Sequence, residues 1–275
     1  MDEVAYKDLF NLSGKTAIVT GGAGILGRHF CAGLAESGAN VAVVDVQESA
    51  AVSLATELGE RYGSRTIGIR CDVSCPESVE EMVARVISEC GEVNILHNNA
   101  AGKSDDLDAF FAPFESYSLD QWRKIMAVNL DGMFLVAQAV GKKMLVQRKG
   151  GSIIQTSSIY GMMGPDHRIY EGSFYLGRKI SSPAVYTASK AAVIGLTKYL
   201  ATYWAGKGIR VNTLTPGGTE SGQNDEFNRR YSARIPMNRM AKAHEMVGAL
   251  LYLASDASSY VTGQNIIVDG GLNAW

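Results

Sequence analysis

The stretch Lys15-Thr16-Ala17-Ile18-Val19-Thr20-Gly21-Gly22-Ala23-Gly24-Ile25-Leu26-Gly27 decides the fold. Its first six residues read as a buried strand, after which glycines carry the chain round into a helix. Glycine lets backbone approach a pyrophosphate closely, and the first turn of the helix offers free N–H groups and the positive end of its dipole. This is a strand-to-helix phosphate loop. A second apolar strand, 41–44, ends at Asp45, whose carboxylate suits the hydroxyls of an adenosine ribose and repels a 2′-phosphate. NAD is therefore expected over NADP, with Arg28 and Arg61 as the cations that would argue the other way. The third strand, 66–71, delivers Asp72 to the adenine edge. The fourth, 93–97, runs into Asn98-Asn99-Ala100-Ala101-Gly102, a small-residue bend that lets a cofactor lie against backbone.

Three Tyr-x-x-x-Lys pairs follow, at Tyr175/Lys179, Tyr186/Lys190 and Tyr203/Lys207. The first straddles Gly177 shortly before Pro183, so no helix holds its spacing. The third has Gly206 inside it and reads as a helix end. Only Tyr186/Lys190 opens a helical run, in which residues four apart share a face. A lysine ammonium beside a phenol favours the phenolate and lowers its pKa, as proton exchange with an alcohol or carbonyl requires.

With these motifs in place the chain resembles the short-chain dehydrogenase/reductase family over nearly all its length. The matching stretches are Thr20 to Gly27, Asp72, Asn98-Asn99-Ala100, Val128-Asn129-Leu130, Ser157-Ser158, Tyr186 to Lys190, Pro216-Gly217 and the tail from Tyr260 to Gly271. The resemblance implies a catalytic tetrad of Asn129, Ser158, Tyr186 and Lys190, the second serine of its pair being the one at the strand end. It implies cofactor contacts from Gly21, Gly24, Ile25 and Leu26, from Asp45 and Val46, from Asp72 and Val73, from Asn99, Ala100 and Ala101, from Tyr186 and Lys190, and from Pro216, Gly217 and Thr219. It also implies a homotetramer with the two long helices, near 118–147 and 186–207, paired across one interface. In chemical terms Ser158 donates to the substrate oxygen, Tyr186 passes the proton, and Lys190 holds the nicotinamide ribose and depresses the phenol pKa. Asn129, unfavourable inside a helix, bends it locally and holds a water that links Lys190 to solvent.

Three departures qualify the resemblance. The glycine spacing Gly21-x-x-Gly24-x-x-Gly27 is similar to the extended branch of sugar-nucleotide epimerases and dehydratases, although 275 residues leave little room for that branch's extra lobe. Ala101 replaces a glycine. Tyr186 follows Ser158 by 28 positions, so a segment has been inserted beside the substrate pocket. Within that insertion Arg168, Arg178 or Lys179 could grip an anion while His167 and Glu171 bind hydroxyls. The substrate residues expected from it are His167, Arg168 and Glu171. Two other segments complete the set of substrate loops near 102–117, 161–183 and 217–241. The first carries acids and Phe110, Phe111 and Phe114 for packing; the last reads as a mobile lid.

Global properties place these motifs in one domain. A chain of 29.5 kDa with 46% hydrophobic residues can build one large α/β core. A net charge of −2 offers no field for nucleic acid, and no apolar run reaches membrane-spanning length. The start, Met1-Asp2-Glu3-Val4, carries no secretory charge pattern, and Cys31, Cys71, Cys75 and Cys90 form no disulfide or zinc framework, so reduced thiols in the cytoplasm are expected. No metal site is expected from four scattered histidines. After the third strand, Ser74-Cys75-Pro76-Glu77 resembles a capping box, and strands at 151–156, 209–214 and 265–268 continue the alternation. The expected fold class is α/β: a single-domain, Rossmann-type, doubly wound parallel sheet of about seven strands flanked by helices. The expected activity is NAD-dependent hydride transfer on a small polar secondary alcohol or ketone such as a sugar, polyol or sugar acid. The alternatives are an NAD-retaining sugar-nucleotide epimerase or dehydratase and a non-catalytic NAD sensor.

Overall fold

Every residue of the first strand, β1 (Thr16–Thr20), is buried, which requires cover on both faces of its sheet. Helices supply that cover. The computed structural model describes residues 5–104, 106–175 and 177–275, leaving aside the side chains of Lys7 and Tyr175; residues 1–4, and Asp105 and Leu176 of the two long connections, lie outside the described residues. In chain order the main elements are β1, α1 (Ile25–Glu36), β2 (Asn40–Asp45), α2 (Glu48–Tyr62), β3 (Thr66–Arg70), α3 (Pro76–Cys90) and β4 (Ile95–Asn98). There follow α4 (Leu107–Phe110), α5 (Leu119–Met126), α6 (Gly132–Gln147), β5 (Gly151–Thr156), a small hairpin of β6 (Phe174–Tyr175) and β7 (Arg178–Lys179), and α7 (Ala184–Trp204). β8 (Ile209–Pro216), α8 (Asp225–Ser232), α9 (Val247–Ala254) and β9 (Asn265–Val268) complete it.

The sheet has seven strands in the order β3-β2-β1-β4-β5-β8-β9, all paired in parallel. The order reverses between β1 and β4, and a crevice opens beyond the carboxyl ends of strands at such a switch point. One apolar layer joins α1, α2 and α9 to the sheet through Phe30, Leu34 and Leu250; the other joins α3, α6 and α7 through Val83, Val140 and Trp204. The family-type sheet and the single domain are as the alternating pattern predicted.

Local chemistry differs from expectation at two places. Before α3 no capping box forms: the Ser74 backbone N–H and hydroxyl both donate to Asp72 Oδ1, at 2.9 and 2.6 Å, and Cys75 is the N-cap without a side-chain cap bond. The long helix expected over 118–147 is interrupted. Ser118 caps α5 by accepting from the Gln121 N–H at 3.1 Å, and a five-residue π turn, Ala127–Asp131, then precedes α6. Asn129 sits inside that turn, fully buried, so the local bend read from its poor helix propensity has a definite form. The third Tyr-x-x-x-Lys pair does mark a helix end, since α7 stops at Trp204 and gives way to a 3-10 turn, Ala205–Lys207.

The loop between β1 and α1 closes on itself. A Cβ added at Gly27 would stand 2.0 Å from the Gly21 carbonyl oxygen and 2.8 Å from Gly22 Cα, so only glycine lets the helix start this close to the turn. Gly27→Ala should lower the unfolding free energy by about 1–3 kcal/mol, the usual cost of overpacking a tight contact. Urea denaturation followed by tryptophan fluorescence reads this directly; an unchanged midpoint would show that the loop can move aside.

Candidate active site

The crevice is shaped first by a hydroxyl. Thr20 ends β1, and its Oγ1 accepts from the Asn99 and Ala100 N–H groups at 2.9 and 3.0 Å and donates to Asn98 Oδ1 at 3.2 Å. Asn98 Nδ2 donates to the Met133 carbonyl at 2.8 Å, and Asn99 Nδ2 to the Thr20 carbonyl at 3.1 Å. The Asn-Asn pair thus ties the end of β4 to β1 and α6. Asn99 also lines the crevice.

Every cofactor residue expected in the phosphate loop and after the second, third and fourth strands lines one recess of about 510 Å³. The N-cap of α1, Gly24, contributes no side-chain bond, so the first-turn amides of the helix point toward that recess. Asp45 is partly employed: Oδ2 accepts from the Ala23 N–H and Oδ1 from the Gln47 N–H, each at 3.1 Å. Each oxygen keeps a second lone pair for a ribose hydroxyl. The glycine cradle, the free helix end and the Asp45 carboxylate together fit the adenosine and pyrophosphate half of a dinucleotide. Pro216 ends β8, Gly217 donates its N–H to the Val268 carbonyl at 2.9 Å, and Thr219 bridges to Ala241; they stand apart from this recess.

Of the cations weighed as 2′-phosphate partners, Arg28 is exposed in the first turn of α1. Arg61 stands over the Tyr62 ring in the last turn of α2, about 20 Å along that helix from its Asp45 end. It is too distant for the role. Arg70 is the cation that sequence reasoning missed: it is paired in register with Asp45 and lines an open recess with Glu48 and Ser49. Strand register could have found it.

Tyr186 and Lys190 lie one turn apart on α7, with Lys190 Nζ 6.0 Å from the Tyr186 ring centroid. Lys190 is 2% exposed, and Nζ donates to the Thr156 carbonyl at 3.0 Å. The adjacent serines divide their work. Ser157 Oγ donates to the Lys190 carbonyl at 2.7 Å, whereas Ser158 Oγ accepts from the Tyr160 N–H at 3.2 Å and its side chain reaches the Tyr186 phenol. Gly161 permits the packing, since a Cβ there would lie 2.7 Å from the Lys190 carbonyl group. Asn129 Oδ1 accepts from the Gly102 N–H at 2.8 Å, and Nδ2 contacts Ser189 Oγ at 3.4 Å. Ser189 in turn donates to the Tyr186 carbonyl at 2.9 Å. All four tetrad residues therefore meet within one network.

The electrostatics differ from the sequence argument. Burial pushes the Tyr186 phenol above its ordinary value, and the hydrogen bond with Ser158 draws it only partly back. Burial also brings Lys190 down to about 8. In the protein alone, desolvation is the largest influence on both groups.

The insertion places its expected substrate residues outward. His167 is exposed, its ring 6.4 Å from Tyr170. Arg168 grips Asp166 through two bonds of 2.8 Å, Glu171 pairs with Arg230 at 3.4 Å, and Arg178 pairs with Asp108. A larger groove, about 760 Å³, lies among the starts of α5 and α7 and the neighbouring loops; His167 and Thr187 line it, whereas Tyr186, Ser158 and Lys190 do not. Tyr186 packs against a cluster that includes Tyr160, Ile169, Phe227, Tyr231 and Leu272, with Tyr170 packed against the same cluster. Their convergence from separate segments left no local signal in the sequence.

A family model described as Enoyl-(Acyl carrier protein) reductase matches residues 21–273. D-threitol dehydrogenase of Mycolicibacterium smegmatis is 36% identical over 267 residues, covering 95% of this chain and 94% of that protein. NADP-dependent mannitol dehydrogenase of Alternaria alternata is 35% identical over 274 residues, covering 96% and 94%. Among solved structures, a gluconate 5-dehydrogenase from Burkholderia cenocepacia in complex with NADP and tartrate is similar with a TM-score of 0.85 and 32% identity over 98% of each chain. The chain belongs to the short-chain dehydrogenase/reductase family. It is an oxidoreductase of a family that uses nicotinamide cofactors.

The Lys190 shift has a consequence for stability. Its folded value lies below that of an unfolded lysine, so between about pH 8 and 10.5 the unfolded chain binds more protons and stability rises with pH. Urea denaturation should show wild type gaining about 2–3 kcal/mol relative to Lys190→Met between pH 8 and 10. A constant difference would mean that Lys190 titrates as an exposed lysine.

Proposed function

We propose that the protein is an NAD-dependent dehydrogenase/reductase of small polar secondary alcohols and ketones, with a sugar- or polyol-like carbon chain. The carrying observation is the Tyr186 phenol, half-buried, with Ser158 beside it and the Lys190 ammonium one helical turn away. Nicotinamide, when bound, supplies the hydride acceptor or donor. The adenosine and pyrophosphate half is assigned to Gly21, Gly24, Ile25, Leu26, Asp45, Val46, Asp72, Val73, Asn99, Ala100 and Ala101, and the other end to Pro216, Gly217, Thr219, Tyr186 and Lys190.

During oxidation Ser158 Oγ donates to the substrate oxygen and orients it, while the Tyr186 phenolate takes the hydroxyl proton. In reduction the same phenol returns that proton to the carbonyl oxygen. Lys190 opposes the burial that keeps Tyr186 protonated. Asn129, held by Gly102 and Ser189, keeps a second hydrogen-bonding position at each end of its amide for a water that passes the proton onward. Asp45 supports NAD, because a 2′-phosphate would meet its carboxylate.

Two further readings accompany the reaction. Homotetramer formation is supported by Phe134 on α6 and Tyr199 and Tyr203 on α7, all exposed on the two long helices that the family resemblance pairs. A cytoplasmic setting is supported by four cysteines that all remain free thiols. Among the described residues no helix is long and apolar enough to cross a membrane, and no group of metal ligands forms.

Incubation with NAD or NADP and a panel of polyols, aldoses and sugar acids, read by NADH or NADPH absorbance, tests the assignment. Turnover should favour NAD and fall by about 10²–10⁴-fold in Tyr186→Phe, the usual worth of a positioned acid/base. Tightly retained NAD with no net NADH release would instead support the closed cycle of an epimerase or dehydratase.

A further inference from the structure

The cover over Tyr186 contains polar groups that the proton chemistry does not use. Tyr160 follows Ser158 by two residues, Tyr170 comes from the insertion, and Tyr231 comes from α8; all three pack in the cluster that includes Tyr186. Tyr170 donates its hydroxyl hydrogen to Tyr160 Oη at 3.4 Å. Tyr231 also hydrogen-bonds Tyr160, and burial raises all three phenols, so they stay neutral and can both donate and accept.

Arg234 stands just beyond α8 against this row of hydroxyls. The Trp275 indole N–H donates to its backbone carbonyl at 3.1 Å and helps fix the segment. Its Nε faces Asp166 Oδ2 at 3.5 Å, while Nη1 is buried and has no hydrogen-bond partner. Its charge lies near enough to draw down the pKa of Tyr160, Tyr170 and Tyr231 alike. An unpaired buried donor on a charged group is costly, which favours any acceptor that reaches it. Arg168 is differently placed: it is exposed, and Asp166 already satisfies it through both carboxylate oxygens.

We propose that Arg234, flanked by the hydroxyls of Tyr160, Tyr170 and Tyr231, binds the carboxylate end of a polyhydroxylated substrate whose reacting carbinol lies at Tyr186. The preferred substrate is then a sugar acid rather than a neutral polyol. This rests on the catalytic reading above and narrows it. Two guanidinium groups, Arg168 and Arg234, share the single Asp166 carboxylate, so the row keeps one net positive charge. That matches a carboxylate monoanion better than a phosphate dianion. The planar fork of Arg234 suits carboxylate geometry, and neutral phenols suit neighbouring hydroxyls.

The test compares a panel of four- to six-carbon aldonates with alditols of the same length and configuration, in the presence of NAD. Wild type should prefer the aldonate in kcat/KM. Arg234→Gln should reduce the aldonate-to-alditol ratio by about 10–100-fold, mostly through KM for the aldonate, and Arg234→Lys should recover part of it. Loss of packing alone would lower both substrates together and leave the ratio unchanged. An unchanged ratio in Arg234→Gln, or a wild-type preference for alditols, overturns the proposal. Melting temperatures separate this from the dehydrogenase reading. If no compound is turned over but aldonates alone stabilise wild type and not Arg234→Gln, the carboxylate site stands and the catalytic reading fails. Equal stabilisation by both classes, or none, overturns the carboxylate site.

Discussion

The buried ammonium of Lys190 on the carbonyl of Thr156 is the contact around which this molecule's chemistry is arranged. It fastens the last residue of β5 to the turn of α7 that carries Tyr186. Ser157 secures the same junction from the other direction through the Lys190 carbonyl, leaving Ser158 free to face the phenol. A lysine held this deeply is costly to keep charged, as its downward shift records. No carboxylate offsets that cost among the groups that shift it, and burial alone accounts for the direction. The site therefore stores a tension: the phenol resists losing its proton and the lysine resists keeping its own.

Around that junction the fold separates two duties. The end of the sheet, tied by Thr20, Asn98 and Asn99, shapes the recess beside the glycine loop through short bonds between strand ends. Beyond the sheet, irregular segments hold one another. Arg230 on α8 donates to the Arg168 carbonyl at 2.8 Å, and the Tyr170 ring packs tilted against Phe227 with centroids 5.5 Å apart. α8 and the insertion are clasped to each other in this way by packing and hydrogen bonds outside the sheet. That leaves the parallel sheet undisturbed while the cover varies.

Much of the framework was legible because its signals are local. The apolar runs and the glycines after Thr20 report strand and turn within a few residues, and the acid after 41–44 lines the recess beside that turn. Tyr186 and Lys190 were legible for the same reason, since helical spacing alone aligns them. What escaped was non-local or competitive. Ser74 bonds Asp72 instead of capping α3, because a carboxylate two residues away wins its hydroxyl. The short β6–β7 hairpin and the outward turn of Arg168 depend on partners, such as Asp166 and Arg230, whose placement no periodicity encodes. Tyr160, Tyr170, Tyr231 and Arg234 are brought together only by tertiary packing, and Arg70 meets Asp45 only through strand register.

The most direct test of the account is the ionisation of Tyr186 itself, obtained as the difference in tyrosinate absorbance between wild type and Tyr186→Phe across a pH titration, with and without NAD⁺. The protein alone should hold this phenol protonated beyond the ordinary tyrosine value, and NAD⁺, whose positive nicotinamide adds to Lys190, should bring its ionisation to lower pH. A phenol already ionising below the ordinary value without NAD⁺, or one indifferent to it, would contradict the balance of burial and charge described here.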